Sequence, residues 1–139
     1  MPIPKFNLAI FDLDGTIFYE TIFDDVFEIL EKLKNSNVKM AIASYNPHAK
    51  FFCNRYDIEK YFDIICGYYT DCKISHINEI KSYYKNKGRI FDDKEIIFFD
   101  DDNTNISDIS IQTKIKCISI NPDIGVTKDI INLVIYKYI

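Results

Sequence analysis

The chain has 139 residues, 47% of them hydrophobic and 27% charged, with Gly 4, Pro 4 and no Trp. That balance is globular: it excludes a disordered tail, a collagen-like chain or a coiled coil, and the length suits one domain over residues 1–139. The apolar runs are short and end in aspartates, so none could span a bilayer, and a net charge of −4 argues against a role dominated by nucleic-acid phosphates.

Strand-like and helix-like segments alternate along the chain. Phe6–Phe11 is a mostly apolar run that stops at Asp12 and predicts a buried strand. Over Asp24–Lys34, Val26, Phe27, Ile29, Leu30 and Leu33 recur at helical spacing, with Lys32 and Lys34 near the end. Val38–Ala43 predicts a second strand, and Asn46-Pro47 predicts a helix start with Asn46 as cap and Pro47 at the first helical position. Asp63–Cys66 predicts a short third strand before Gly67. A helix over Ile74–Lys87 follows, its stripe of Ile74, Ile77, Ile80, Tyr83 and Tyr84 closed by Gly88. Glu95–Phe99 predicts the fourth strand, running into Asp100-Asp101-Asp102. Asn103–Ile111 predicts a short helix and Lys114–Ile120 the fifth strand. Thr127–Tyr138 reads as a final helix, with a strand kept open by its β-branched content.

This alternation implies an α/β, Rossmann-like three-layer sandwich: a central parallel sheet of about five strands with helices on both faces. Ligands bind such sheets beyond the carboxyl ends of the strands. Asp12, Ser44, Asp100 and Asp101 each fall directly after a predicted strand and should converge on one rim.

Asp12-Leu13-Asp14-Gly15-Thr16 places two carboxylates two residues apart on a chain that turns at a glycine. A calcium loop of the EF-hand type would need its glycine at the sixth position and an acid at the twelfth; Gly15 is fourth and Phe23 twelfth, so that reading fails. A helix cap needs only one acid and leaves the acids after the fourth strand unexplained. Asp100-Asp101-Asp102 would repel one another unless something cationic offset them. Oxygen ligands without thiolate or imidazole suit a hard cation, with Mg²⁺ the natural choice. Ser44 and Lys73 are the candidates for holding an anion.

These segments resemble the haloacid dehalogenase superfamily of aspartate-nucleophile phosphatases, whose four motifs are matched in order over nearly the whole chain. Asp12-Leu13-Asp14-Gly15-Thr16 matches the first and most specific motif, Ser44 the second, Lys73 the third, and Asp100-Asp101 with Asn105 the fourth. Within the superfamily the sequence is most similar to the small, capless magnesium-dependent phosphatases, through Ala43-Ser44, Lys73-Ile74-Ser75-His76 and Phe98–Ile106. It departs from them where Tyr45 replaces their usual arginine and where Gly15 replaces a bulkier residue. The resemblance implies that Asp12 attacks phosphorus and carries an aspartyl-phosphate, and that Asp14 acts as acid and then base. It implies Mg²⁺ on the Asp12 carboxylate, the Asp14 carbonyl and Asp101, with Asp100 near. Ser44 and Lys73 would hold the phosphoryl group.

Taken alone, Ser44 could cap the next helix and Lys73 could be a surface lysine. His76, one turn later, reads as solvated or capping, and Phe18, Tyr19 and Phe23 as core residues or as lining of the entrance. Lys81, Lys85, Lys87 and Arg89 lie close together and read as the solvated face of a helix. The interval from Thr16 to the second strand has room for one helix and its turns. The interval from Ser44 to Lys73 has room for a helix and a strand. Neither holds a cap domain, so the rim should be open and favour a phosphoprotein or another bulky phosphomonoester. The rival readings are a sugar-phosphate phosphatase, a nucleic-acid end phosphatase needing a basic track, and a non-catalytic receiver-like Mg²⁺ module. The receiver carries its phosphorylated acid after the third strand, where this chain has Cys66-Gly67.

No Cys-x-x-Cys pair occurs among Cys53, Cys66, Cys72 and Cys117, and neither His48 nor His76 completes a zinc-ligand spacing. Cys66 and Cys117 sit in apolar runs and read as buried core. Reduced thiols, together with a first segment, Met1–Lys5, that lacks the pattern of a secretory signal, lead to the expectation of a cytoplasmic protein.

Overall fold

Two short strands begin the chain in the computed structural model, which describes residues 2–138: β1 (Pro2–Pro4) and β2 (Leu8–Phe11). Met1 and Ile139, the ends of the expected domain, lie outside the described residues. A hairpin of β3 (Phe18–Tyr19) and β4 (Thr21–Ile22) follows, then α1 (Val26–Asn35), β5 (Lys39–Ser44) and α2 (Ala49–Arg55). The remaining elements are β6 (Ile64–Gly67), α3 (Ile74–Asn86), β7 (Ile96–Asp100), α4 (Asn103–Gln112), β8 (Lys116–Ser119), α5 (Lys128–Val134) and β9 (Tyr136–Tyr138).

Five of the strands form one sheet in the order β6-β5-β2-β7-β8, every neighbouring pair parallel. β2 is central, pairing Phe11 with Ile42 of β5 on one side and with Phe99 of β7 on the other. The chain builds outward from β2 in one direction and then returns to build in the other, so the carboxyl end of β2 is the topological switch point where α/β sheets bind ligands.

Alternation along the strands divides the core in two. Ala9, Phe11, Ile42 and Phe99 face α1 and α5, meeting Leu30, Leu33 and Ile131. Leu8, Ile10, Ala43 and Phe98 face α3 and α4, meeting Ile77, Ile80 and Ile109. All four residues of β2 and all five of β7 are buried, as expected for strands covered by helices on both sides. α1 buries Val26, Ile29, Leu30 and Leu33 and ends with Lys32 and Lys34 at the negative pole of its dipole. Within the expected stripe of α3, Ile77, Ile80 and Tyr84 are buried while Ile74 and Tyr83 pack at its margin.

Several expectations are corrected. The helix after the second strand begins at Ala49, not at Asn46-Pro47, because the Asn46 side chain accepts from His48 N and its carbonyl from Ala49 N, which makes a turn. The final helix stops at Val134, and Tyr136–Tyr138 pairs antiparallel with Pro2–Pro4. The β3–β4 hairpin adds a flap that one helix and its turns did not include. Cys66 is buried as expected, whereas Cys117 is only half-buried. The basic group at the end of α3 is a solvated face as expected, with Lys85, Lys87 and Arg89 exposed, and Lys81 and Arg89 also pair with Asp93 and Glu95.

Among the described residues no cap domain is inserted between the sheet strands, and no helix is long and apolar enough to cross a membrane. Phe99 is fully buried and stacked on Phe11 with ring centroids 5.0 Å apart. Phe99→Ala should therefore cost about 3–5 kcal/mol of folding stability, read from the midpoint of denaturant unfolding.

Candidate active site

Asp12 sits one residue beyond β2, and its N–H donates to Phe99 O at 2.8 Å. The parallel ladder thus extends one step past the strand and fixes where the carboxylate stands. Asp100 is the last residue of the neighbouring strand β7. Lys73 enters from the turn before α3, which packs on the face that carries Leu8 and Ile10. Its Nζ donates to Asp12 Oδ1 at 2.7 Å and to Asp100 Oδ2 at 2.8 Å. Exposure is 1% for both Lys73 and Asp100 and 6% for Asp12, so this is a buried ion triad.

The three consecutive aspartates have separate partners. Asp100 turns inward; besides Lys73 it accepts from Asn105 Nδ2 at 3.0 Å and from Asp102 N at 3.0 Å. Asp102 caps α4 by accepting from Thr104 N and Asn105 N. Asp101 faces Asp12: Asp12, Asp100 and Asp101 each offer a carboxylate oxygen within 4.8 Å of the others. Thr16 donates its hydroxyl to the other Asp12 oxygen at 3.4 Å.

Three carboxylates therefore meet one ammonium. Burial pushes the Asp12 carboxyl well above its ordinary range; Lys73 offsets this only in part, and the Asp100 charge pushes it further. Burial also raises Asp101. Burial alone would lower Lys73, but Asp12 and Asp100 outweigh it and raise its pKa, so the ammonium stays charged. The surplus of negative charge and the all-oxygen donor set fit a hard divalent cation at Asp12, Asp100 and Asp101.

A cavity of about 290 Å³ opens over this cluster, with Asp14, Ser44, Tyr45 and Asn46 on its other wall. Ser44 is buried at the end of β5; its Oγ accepts from Asn46 N at 3.0 Å, which leaves its O–H free to donate. The Asp14 carboxylate is exposed, lies outside the three-carboxylate group and accepts from Asn46 Nδ2 at 3.3 Å. All the expected site residues thus line one cavity. Asn46 was expected only as a helix cap, and Asp102 only as part of an acidic run. His76 is not solvated: it is buried, bonded through Nε2 to Tyr68 O at 3.0 Å, with burial holding its pKa below the usual value.

A β-sheet switch point carrying this acid–lysine cluster defines the class, and comparison with known proteins gives the family. The acid phosphatase family model matches residues 20–138, and the chain belongs to that family of haloacid-dehalogenase-like phosphatases. The matched stretch starts after Asp12–Thr16, so for that segment the geometry above is the independent observation. Among solved structures the fold is similar to a haloacid dehalogenase-like hydrolase from Streptococcus pneumoniae, with TM-score 0.71, 14% identity and 94% of this chain and 91% of that one covered. It is also similar to a HAD-superfamily hydrolase from Ehrlichia chaffeensis, with TM-score 0.62, 18% identity and 96% and 97% covered. No curated protein sequence matches the chain.

Gly15 holds the loop at φ +82°, and a Cβ there would lie 2.5 Å from Asp101 Oδ2. Any side chain at this position would strike Asp101, the candidate cation ligand. Gly88 has φ +88° with open space around it, so Gly88→Ala measures the backbone cost alone, about 1–2 kcal/mol. In denaturant titrations Gly15→Ala should lose clearly more than Gly88→Ala, the excess being the displacement of Asp101.

Proposed function

We propose that this phosphatase is a Mg²⁺-dependent phosphomonoesterase working through a phosphorylated Asp12. The observation that carries the reading is the buried Lys73 ammonium bridging Asp12 and Asp100, with Asp101 beside them. An anionic carboxylate must approach an anionic phosphate, and that requires positive charge fixed at the point of attack.

In this reading an Asp12 oxygen forms a bond to phosphorus while the bond to the ester oxygen breaks. Asp14, held by Asn46, gives its proton to the departing oxygen. Asp14 then takes a proton from water, the water oxygen attacks phosphorus, and the Asp12–phosphorus bond breaks to release inorganic phosphate. Ser44 donates its hydroxyl to a phosphoryl oxygen and Lys73 supplies a point charge while holding Asp12 in line. Asp12, Asp100 and Asp101, with the Asp14 carbonyl, would hold Mg²⁺, which supplies electrostatic stabilisation of the phosphoryl charge.

The same reading takes residues 1–139 as one catalytic domain and, from its four free cysteines, a cytoplasmic one. The open rim supports a phosphoprotein or another bulky ester as substrate. Lys73 is the only cation lining the cavity among the described residues, which gives no basic track for a nucleic-acid end.

Hydrolysis of p-nitrophenyl phosphate should require Mg²⁺ and disappear in EDTA. Asp12→Asn should fall to background, and Asp14→Asn should slow turnover about 10²–10⁴-fold. Turnover that survives in Asp12→Asn would remove that residue as nucleophile. Across a substrate panel, kcat/KM should be higher for a phosphopeptide than for a sugar phosphate.

A further inference from the structure

Tyr45 occupies the cavity wall in a way that the reaction scheme leaves unexplained. Its hydroxyl donates to Asn105 Oδ1 at 3.2 Å, and Asn105 Nδ2 donates to Asp100 Oδ2, the oxygen that also accepts from Lys73. A carboxamide has two ends of nearly equal size, one donor and one acceptor. With its amine end on Asp100, Asn105 attracts the carboxylate; turned half way round, its carbonyl oxygen would repel it. Asn105 is buried, so a free carbonyl oxygen there would also lack water. The Tyr45 hydroxyl, by donating to the oxygen end, selects the attractive orientation.

The phenol is held in place from several sides. Its ring lies 5.2 Å from Lys73 Nζ, 5.4 Å from the Tyr69 ring and 5.7 Å from the His76 ring. His76 is itself fixed by the Tyr68 carbonyl and by the Tyr68 ring at 4.4 Å. The buried histidine is thus part of the support behind Tyr45.

We infer that Tyr45 is a positioning residue: through the amide of Asn105 it fixes the orientation in which Asp100 serves both Lys73 and a divalent cation. The inference rests on the metal-dependent reading above, and a binding measurement made without substrate separates the two. Asn105 is the direct partner of the candidate ligand, and removing such a partner typically changes metal affinity about 10–100-fold; Tyr45 acts one contact further out, through Asn105.

The test is Mn²⁺ binding to the full chain, followed by electron paramagnetic resonance of free Mn²⁺, for the parent, Tyr45→Phe, Asn105→Ala and the double variant. Phenylalanine keeps the ring and its packing and removes only the hydroxyl. Tyr45→Phe should bind Mn²⁺ more weakly, by up to about 10-fold and by no more than Asn105→Ala does, and excess Mg²⁺ should restore its turnover. In the Asn105→Ala background the same substitution should change nothing further. Unchanged Mn²⁺ affinity in Tyr45→Phe, or an equal loss with Asn105 already removed, would overturn the inference. A parent protein that binds no Mn²⁺ would overturn the metal reading and this inference with it.

Discussion

The ammonium of Lys73, buried between Asp12 and Asp100, is the interaction on which the rest of the site depends. It ties the turn before α3 to the ends of two adjacent strands, β2 and β7. Removing three charges from water carries a large desolvation cost, and an apolar trio of similar volume would often be at least as stable. Lys73 also leaves the charge unbalanced, since Asp101 adds a third carboxylate within 4.8 Å. Stability alone gives no reason to retain such a cluster. The proposed chemistry, in which the site holds a cation and an anionic substrate together, does.

The fold supplies the precision that this requires. β2 is paired on both edges and buried on both faces, so the backbone that delivers Asp12 is held by two ladders and two helix layers. Strands β5 and β7 end beside it with Ser44 and Asp100, residues twenty or more positions apart in sequence but neighbours in space. Gly15 then allows the chain to turn away while Asp101 occupies the space a side chain would take. Rigid strand ends set the carboxylates and a tight loop sets their spacing, which is the arrangement a preorganised site needs.

Much of this was legible because the signals were local. The apolar runs ending at Asp12, Ser44 and Asp100 gave the strands, and the acids that stopped them gave the rim. The misses came where tertiary contacts decide. β3 and β4 are two residues each around Glu20, whose φ of 62° carries no Gly or Asn signal. Tyr136–Tyr138 becomes a strand only by pairing with Pro2–Pro4 at the other end of the chain. His76 reads as polar and hence exposed until Tyr45 and Tyr68 close over it. Asn46 looks like a helix cap, since nothing in sequence shows that its amide reaches Asp14.

The most direct test of the buried ion triad is the stability of Lys73→Met in denaturant, with and without Mg²⁺. Without the ammonium, Asp12 and Asp100 are left buried and unpaired, and the variant should lose about 3–5 kcal/mol in metal-free buffer. Saturating Mg²⁺ should return much of that loss. A variant as stable as the parent, or a loss that Mg²⁺ leaves untouched, would contradict a site organised around Lys73 and a divalent cation.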